Sequence, residues 1–503
     1  MRNLIAIATG TLLVAACAVG PNYHAPEAAP VVLKNAQSPA FVAQTPEALW
    51  WQEFDDRELD NLVGRALASN LDLRAAYDRV RAARAVFVER KFDYAPHISL
   101  DGAYTHSDEQ QPGFGSDRYD IQSDSVGFDA SWELDLFGHV RRSVQAARAD
   151  LGAERATYRD AQVTVAAEVA RNYFELRGAQ QRLIVARQNL ESEAQTLRLT
   201  QLLDETGRGS EIDVQRSRAH LKATEATIPL LEASEKQAGY RLAVLLGERP
   251  GVLDAELVPV AVTTYAKALP IGDTSELLRR RPDVRAAERQ LAAATARVGV
   301  ATADLFPRVS VTGFVGFLSG DVGRLFNTSA PNNAEAWSVA PTVSWAAFDL
   351  GSVRARLRAS KAQADAAAAN YEKVVLSALE DTENSLVSYS ARQMQLKSLA
   401  EQAAASKRAA DLANTQYREG VADFLVLLDA QRTQLDAEDA VAQAETAVNV
   451  SVVAIYKALG GVGQTKDAGD APAPAANQPL AAIAPAPTRV GQGPAPLPMG
   501  VLQ

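Results

Sequence analysis

Cysteine is nearly absent, with one residue in a chain of 503. That excludes an internal disulfide framework and a zinc site built on a cysteine cluster. Aromatic residues are scarce at 6%, which argues against one thick core and for helices meeting along thin seams. Positive charge is in deficit, 51 Lys and Arg against 61 Asp and Glu for a net charge of −10. General phosphate-backbone binding is therefore excluded, and no nucleic-acid partner is expected. After the N-terminus there is no apolar run of about eighteen residues, so no membrane-spanning helix is expected. A chain of this kind that crosses a membrane must do so as a closed β-barrel. The histidines, His24, His97, His106, His139 and His220, are scattered without HExxH or paired-ligand spacing, and no phosphate-binding glycine loop is present. With no nucleophile and base to place, neither an enzyme nor a cofactor or metal is expected.

What is present begins at the N-terminus. Arg2 supplies a positive start, Leu4 to Val14 a short apolar stretch, and Ala15-Ala16 lead into the lone cysteine, Cys17. Such a segment is too short to span a bilayer and reads as a cleaved signal over residues 1–16. Val14-Ala15-Ala16-Cys17 resembles the bacterial lipobox, which makes Cys17 the expected site of lipidation and residues 17–56 a lipid-anchored segment.

The rest of the chain is one unit written twice. Trp132 to Gly138 reads WELDLFG and Trp345 to Gly351 reads WAAFDLG, 213 residues later. The same shift carries Gly207 onto Gly420 and Leu246-Gly247 onto Leu459-Gly460; upstream a shift of 211 carries Asp72 onto Asp283 and Pro96 onto Pro307. The expected units are residues 57–247 and 275–460, separated by an equatorial segment, 248–274. Each holds a first helix (Arg57–Asp93 or Ser275–Asp304), a β-hairpin, a very long helix, a glycine break and a last helix. From Ser352 to Glu419 there is neither Gly nor Pro, a rod of about 100 Å at 1.5 Å per residue. Val169, Leu176, Leu183, Leu190 and Leu197 recur every seven residues, as in a coiled-coil seam. The two shorter helices, stacked end to end, match the long one in length. Residues 461–503 form a different, Pro- and Ala-rich stretch that reads as a flexible tail.

The hairpins alternate. Val126, Phe128, Ala130, Trp132 and Leu134 share one face, with Gly127, Asp129, Ser131 and Glu133 on the other. Val339, Pro341, Val343 and Trp345 repeat the pattern in the second unit. The partner strands lie near His97–Thr105 and Val309–Phe317. Ser107–Gln122 and Ser319–Ala336 read as exposed loops. Such strands suit a tilted outer-membrane strand of about nine to eleven residues. Four strands cannot close alone, because membrane barrels need at least about eight, so association of copies around a lumen is expected.

Together these features resemble the TolC-like outer membrane factors, in particular the OprM/NodT lipoprotein subfamily. The resemblance covers residues 17–462. It rests on Cys17-Ala18-Val19-Gly20-Pro21-Asn22-Tyr23, Trp50-Trp51, Leu278-Arg279-Arg280-Arg281-Pro282-Asp283-Val284, Asp304-Leu305-Phe306-Pro307, Tyr417-Arg418-Glu419-Gly420 and Leu428-Asp429-Ala430-Gln431-Arg432. It implies an α+β membrane protein, in which a long α-helical coiled-coil barrel carries a transmembrane β-barrel of four strands per chain and twelve in a homotrimer. It further implies an outer-membrane duct, working with a periplasmic adaptor (membrane fusion) protein and an inner-membrane RND-type pump to export small toxic compounds or drugs. Leu425 and Asp429 match the family's periplasmic gate, where Val426 stands in place of a second aspartate found in some relatives. Gly207 and Arg208, with Gly420 and Val421, match the tips that meet the adaptor. A type I protein-secretion duct and a lipid-anchored coiled-coil scaffold without a pore are the competing readings.

Overall fold

The structure, a computed structural model, describes residues 18–26, 33–44, 49–110, 117–260, 264–272, 277–329 and 333–461. The signal segment, Cys17 and the Pro/Ala-rich tail lie outside the described residues, as do the first two positions expected in the second unit's first helix.

Seven long helices carry the fold: α1 (Arg57–Ser69), α2 (Leu71–Phe92), α3 (His139–Glu205), α4 (Glu211–Leu245), α5 (Pro282–Ala303), α6 (Leu350–Arg418) and α7 (Phe424–Ala458). The single helix expected over 57–93 is split in two at Asn70. The Asn70 backbone is extended, and its side-chain oxygen accepts from the amides of Asp72 and Leu73 at 2.9 and 3.0 Å. Its amide nitrogen donates to the Leu245 carbonyl at 2.8 Å. A buried N-cap thus starts a new helix and ties it to the end of α4. In the second unit Pro282 opens α5, a first-turn position where its missing N–H costs nothing. Helices α1, α2 and α4 hold 13, 22 and 35 residues against 67 in α3, so the short helices line the whole of the long one.

Helix α3 is the shared wall, packing on α1, α2, α4, α5 and α7. Its heptad series is only partly a leucine seam. Val169, Leu176 and Leu183 are buried, whereas Leu190 and Leu197 are half-exposed. Val185 and Ala186 are buried too, but beyond Ala186 the buried positions of the helix are Asn189, Glu193, Thr196 and Thr200. Here α1, α2 and α5 no longer cover the helix, and the hydrogen-bond partners of this face lie on α4 and α7. The covered face is therefore the polar one.

Four strands form one antiparallel sheet in the order β2-β3-β5-β6, with β2 at His97–Gln110, β3 at Arg118–Leu134, β5 at Arg308–Ser319 and β6 at Glu335–Ser344. The short β1 (Phe41–Val42) and β4 (Leu269–Pro270) pair in parallel elsewhere. Strands β2 and β3 run well into the expected loop, pairing Ser107 with Ile121 and Glu109 with Tyr119. Pairing needs only extended backbone, and Arg118 lies 3.2 Å from Asp108 across the ladder, so polar side chains do not end the hairpin. The register lines up apolar residues across all four strands: Leu100, Phe128, Val315 and Trp337 in one row, Ile98, Ala130, Gly313 and Val339 in the next. The opposite face carries Glu133, Ser310 and Thr342 in one row and His97, Ser131 and Thr312 in another. Gly127 is required there, because a Cβ would stand 2.6 Å from the Phe314 ring.

Candidate functional site: strand junction, hub and helix tips

Where strands give way to helices, the repeat extends to individual hydrogen bonds. The Trp132 indole donates to the Tyr94 carbonyl, and the Trp345 indole to the Leu305 carbonyl, each at 3.1 Å. Phe137 stacks on Phe306 with ring centroids 4.8 Å apart. The N-terminal segment is fastened at this junction by the buried guanidinium of Arg142, which donates to the carbonyls of Val19 and Gly20 and to the Asn22 side chain. Tyr23 hydroxyl donates to Glu288 at 2.6 Å. The segment following Cys17 is thereby held beside the strand ends.

The equatorial hub explains two of the sequence motifs in packing terms. Trp50 is fully buried and stacks on Tyr456 at 5.1 Å. Tyr456 and Tyr265 both donate to one oxygen of Glu53, at 2.7 and 2.9 Å. Arg281, from the Arg-Arg-Arg-Pro-Asp-Val run, is buried; it donates to the Ala458 carbonyl at 2.9 Å and grips Asp283 at 2.7 Å and Asp381 at 3.2 Å. It joins the start of α5 to the end of α7 and the middle of α6.

At the opposite end both units close with the same turn. Gly207 and Gly420 have φ of 71° and 72°, the left-handed region that glycine enters without a Cβ clash. Arg208 N–H reaches the Leu203 carbonyl, and Val421 N–H the Gln416 carbonyl, both at 2.8 Å. These are the paired bonds of a helix C-terminal reversal. Arg208 is exposed, and Val421 is 78% exposed. Leu425 and Asp429 lie one turn apart on the exposed face of α7, whose N-terminus is capped by Asp423. Asp429 has no side-chain partner among the described residues. Val426, in the second acidic position, is also exposed. The structure thus brings Leu425 and Asp429 together on one face and leaves it bare.

One constellation was not singled out from sequence. Glu193 on α3 is 3% exposed; its Oε1 accepts from Thr224 of α4 at 2.9 Å and lies 3.2 Å from Nε2 of His220. Burial pushes the Glu193 carboxyl up to about 7 and pushes His220 below its ordinary value. Next to it, Gln431 of α7 donates to Thr196 at 2.8 Å, and Asn189 donates to Glu438 at 2.9 Å. The available signal was the polar run at positions beside the heptad leucines.

Comparison with known proteins agrees with this architecture. The family model described as outer membrane efflux protein matches residues 62–248 and again 274–461. The antibiotic efflux pump outer membrane protein ArpC of Pseudomonas putida is 31% identical, over 92% of this chain and 96% of its own. Outer membrane protein OprJ of Pseudomonas aeruginosa is 32% identical, over 90% and 94%. The solved outer-membrane channel OprN superposes with a TM-score of 0.86 at 49% identity, covering 88% of this chain and 99% of that one. With its duplicated rods, its four-stranded antiparallel sheet and its twin glycine turns, the chain belongs to the outer membrane efflux protein family and is an outer-membrane efflux channel component.

Proposed function

We propose that three copies assemble into a passive duct, with their sheets closing a twelve-stranded barrel in the outer membrane and their helices forming a periplasmic α-barrel. The observation that carries this reading is the sheet itself. Leu100, Phe128, Val315, Trp337, Val339 and Val343 are all exposed in the single chain, and β2 and β6 leave open edges. Apolar rows facing outward with polar rows behind them suit lipid outside and water inside. Open edges are paired away only by closure with further copies.

In this reading Cys17 carries the lipid, at the end of the segment that Arg142 holds against the strand junction. The inner-membrane pump, of RND type, supplies energy and selects cargo. The periplasmic adaptor meets the tips at Gly207, Arg208, Gly420 and Val421. A three-fold ring of Leu425 narrows the entrance, and a ring of Asp429 favours cations. Small toxic compounds are the cargo class, supported by the name of the antibiotic pump relative. Planar-bilayer recording tests the assignment. Purified protein should form discrete channels, and Asp429→Ala with Leu425→Ala should raise their conductance. A protein without channels would be a scaffold; unchanged currents in the double variant would remove the gate from these residues.

A further inference from the structure

The layer around Glu193 lies about 18 Å from the end of α3 at 1.5 Å per residue, and Leu425 and Asp429 are not among its residues. Every element packed around it contributes. Helix α3 supplies Glu193. Helix α4 supplies His220 and Thr224. Helix α7 supplies Arg432 and Asp436, which act on His220 with opposite sign, and Glu438, held by Asn189 and Gln434. No cation of α7 pairs with Glu193 among the described residues. The layer is also incompletely bonded: Oε2 of Glu193 and Nε2 of His220 are buried without a hydrogen bond. The 3.2 Å approach of the ring nitrogen to Oε1 is within ion-pair range but not hydrogen-bonded.

We propose that Glu193 and His220 form a proton-operated latch that positions α4 against α3 near the tip, closed while the pair holds one proton between them and released when that proton is lost. With one proton the pair carries no net charge, whether as carboxylic acid and imidazole or as carboxylate and imidazolium. Without it, a lone carboxylate is trapped in a seam where, among the described residues, one Thr hydroxyl is its only hydrogen-bond donor. An unpaired buried charge is relieved by admitting water, and admitting water means parting the helices. The sign follows from the group. A carboxyl raised by burial favours the closed seam at acidic pH, and that support is lost as pH rises through about 7. His220, lowered by burial, withdraws support when the pH falls far enough to charge it as well. Closure is therefore best in the weakly acidic range.

The duplication gives a second, independent line. The shift of 213 that maps Gly207 onto Gly420 places Ser406 at the position of Glu193, Thr433 at His220 and Ala437 at Thr224. Ser406 is buried and, among the described residues, donates only to its own helix, to the Gln402 and Ala403 carbonyls. The second unit therefore carries small uncharged groups at these positions, Ser406 and Ala437 buried and Thr433 exposed, and the titratable pair belongs to the first unit alone. Its consequence for flow rests on the duct reading, but the latch itself is a statement about two helices.

Double electron–electron resonance on the full-length protein tests it, with spin labels at Leu202→Cys and Ile212→Cys, both exposed at the ends of α3 and α4. The label distance should lengthen as pH is raised, with a midpoint near 7. Glu193→Gln should keep the short distance throughout. Thr224→Val, which removes the hydroxyl that favours the carboxylate, should move the midpoint upward and serves if Glu193→Gln fails to fold. A distance insensitive to pH, or a midpoint that survives in Glu193→Gln and stays put in Thr224→Val, overturns the latch. Because the distance is read without any current, a failed gate at Asp429 leaves this result standing, and a failed latch leaves the Asp429 conductance test standing.

Discussion

The two halves of α3 are held by different chemistry. Toward the hub, Val169, Ala170, Tyr173 and Leu176 are buried in one large apolar cluster with Trp50, Leu242 and Tyr456. Toward the tip, Asn189, Glu193, Thr196 and Thr200 take their place. Burying a Leu or Val side chain contributes about 1.5–3 kcal/mol, whereas a typical internal hydrogen bond contributes a net of about 0.5–1.5 kcal/mol. The hub half is therefore the fixed part of the rod. The tip half is held in register by directional bonds that water can replace, which suits the gating proposed for this end.

The largest test of this contrast lies in the hub. Leu176→Ala removes a side chain only 2% exposed and should destabilise the fold by about 2–5 kcal/mol, read as a lowered thermal midpoint of the detergent-solubilised protein. A comparable loss on truncating Thr196 or Thr200 would erase the distinction between the halves. A smaller effect is expected at the turns. Gly420→Ala forces a Cβ into φ of 72° with no neighbour within 4 Å to clash, so the loss is backbone strain alone, about 1–2 kcal/mol. Gly207→Ala should cost the same, since its φ is 71° and its surroundings are equally empty. Unequal losses would show that the two tips are held differently despite their shared geometry.

Much of the strand junction and of the tip turns was legible in the sequence, because it is written locally. A shift of 213 links the tryptophans, the turn glycines and the helix stops, and strand alternation places apolar and polar faces without knowledge of partners. What escaped depends on contacts remote in sequence. The break at Asn70 exists because its side chain reaches the Leu245 carbonyl. The longer hairpin exists because its ladder continues through residues whose side chains stay in water. Glu193 reads as an ordinary solvated helix carboxylate until α4 covers it, and the heptad leucines at 190 and 197 read as seam until α1, α2 and α5 fall away. Leu425 and Asp429 stand on a bare face of one chain, so their meaning as a ring depends on copies that a single sequence does not describe.

The smallest expected change in stability is also the sharpest test of the polar seam. Thr196→Val removes the acceptor for Gln431 and leaves the buried side-chain amide of Gln431 unpaired, a loss of about 1 kcal/mol. Gln431→Leu alone strands a threonine hydroxyl that still donates to the Ser192 carbonyl, so its loss should be smaller. Replacing both partners together removes the unsatisfied groups and adds apolar contact between α3 and α7. The double variant should therefore return to within about 0.5 kcal/mol of the parent, a coupling typical of residues in direct contact. Its effect on opening should be the reverse of neutral. An apolar patch gives water no partner when the helices part, so the double variant should open less readily in bilayer recordings than the parent. If instead it recovers stability and opens as before, the polar character of this seam is incidental, and the proposed opening of the tip depends on the turns and not on the chemistry that joins α3 to α7.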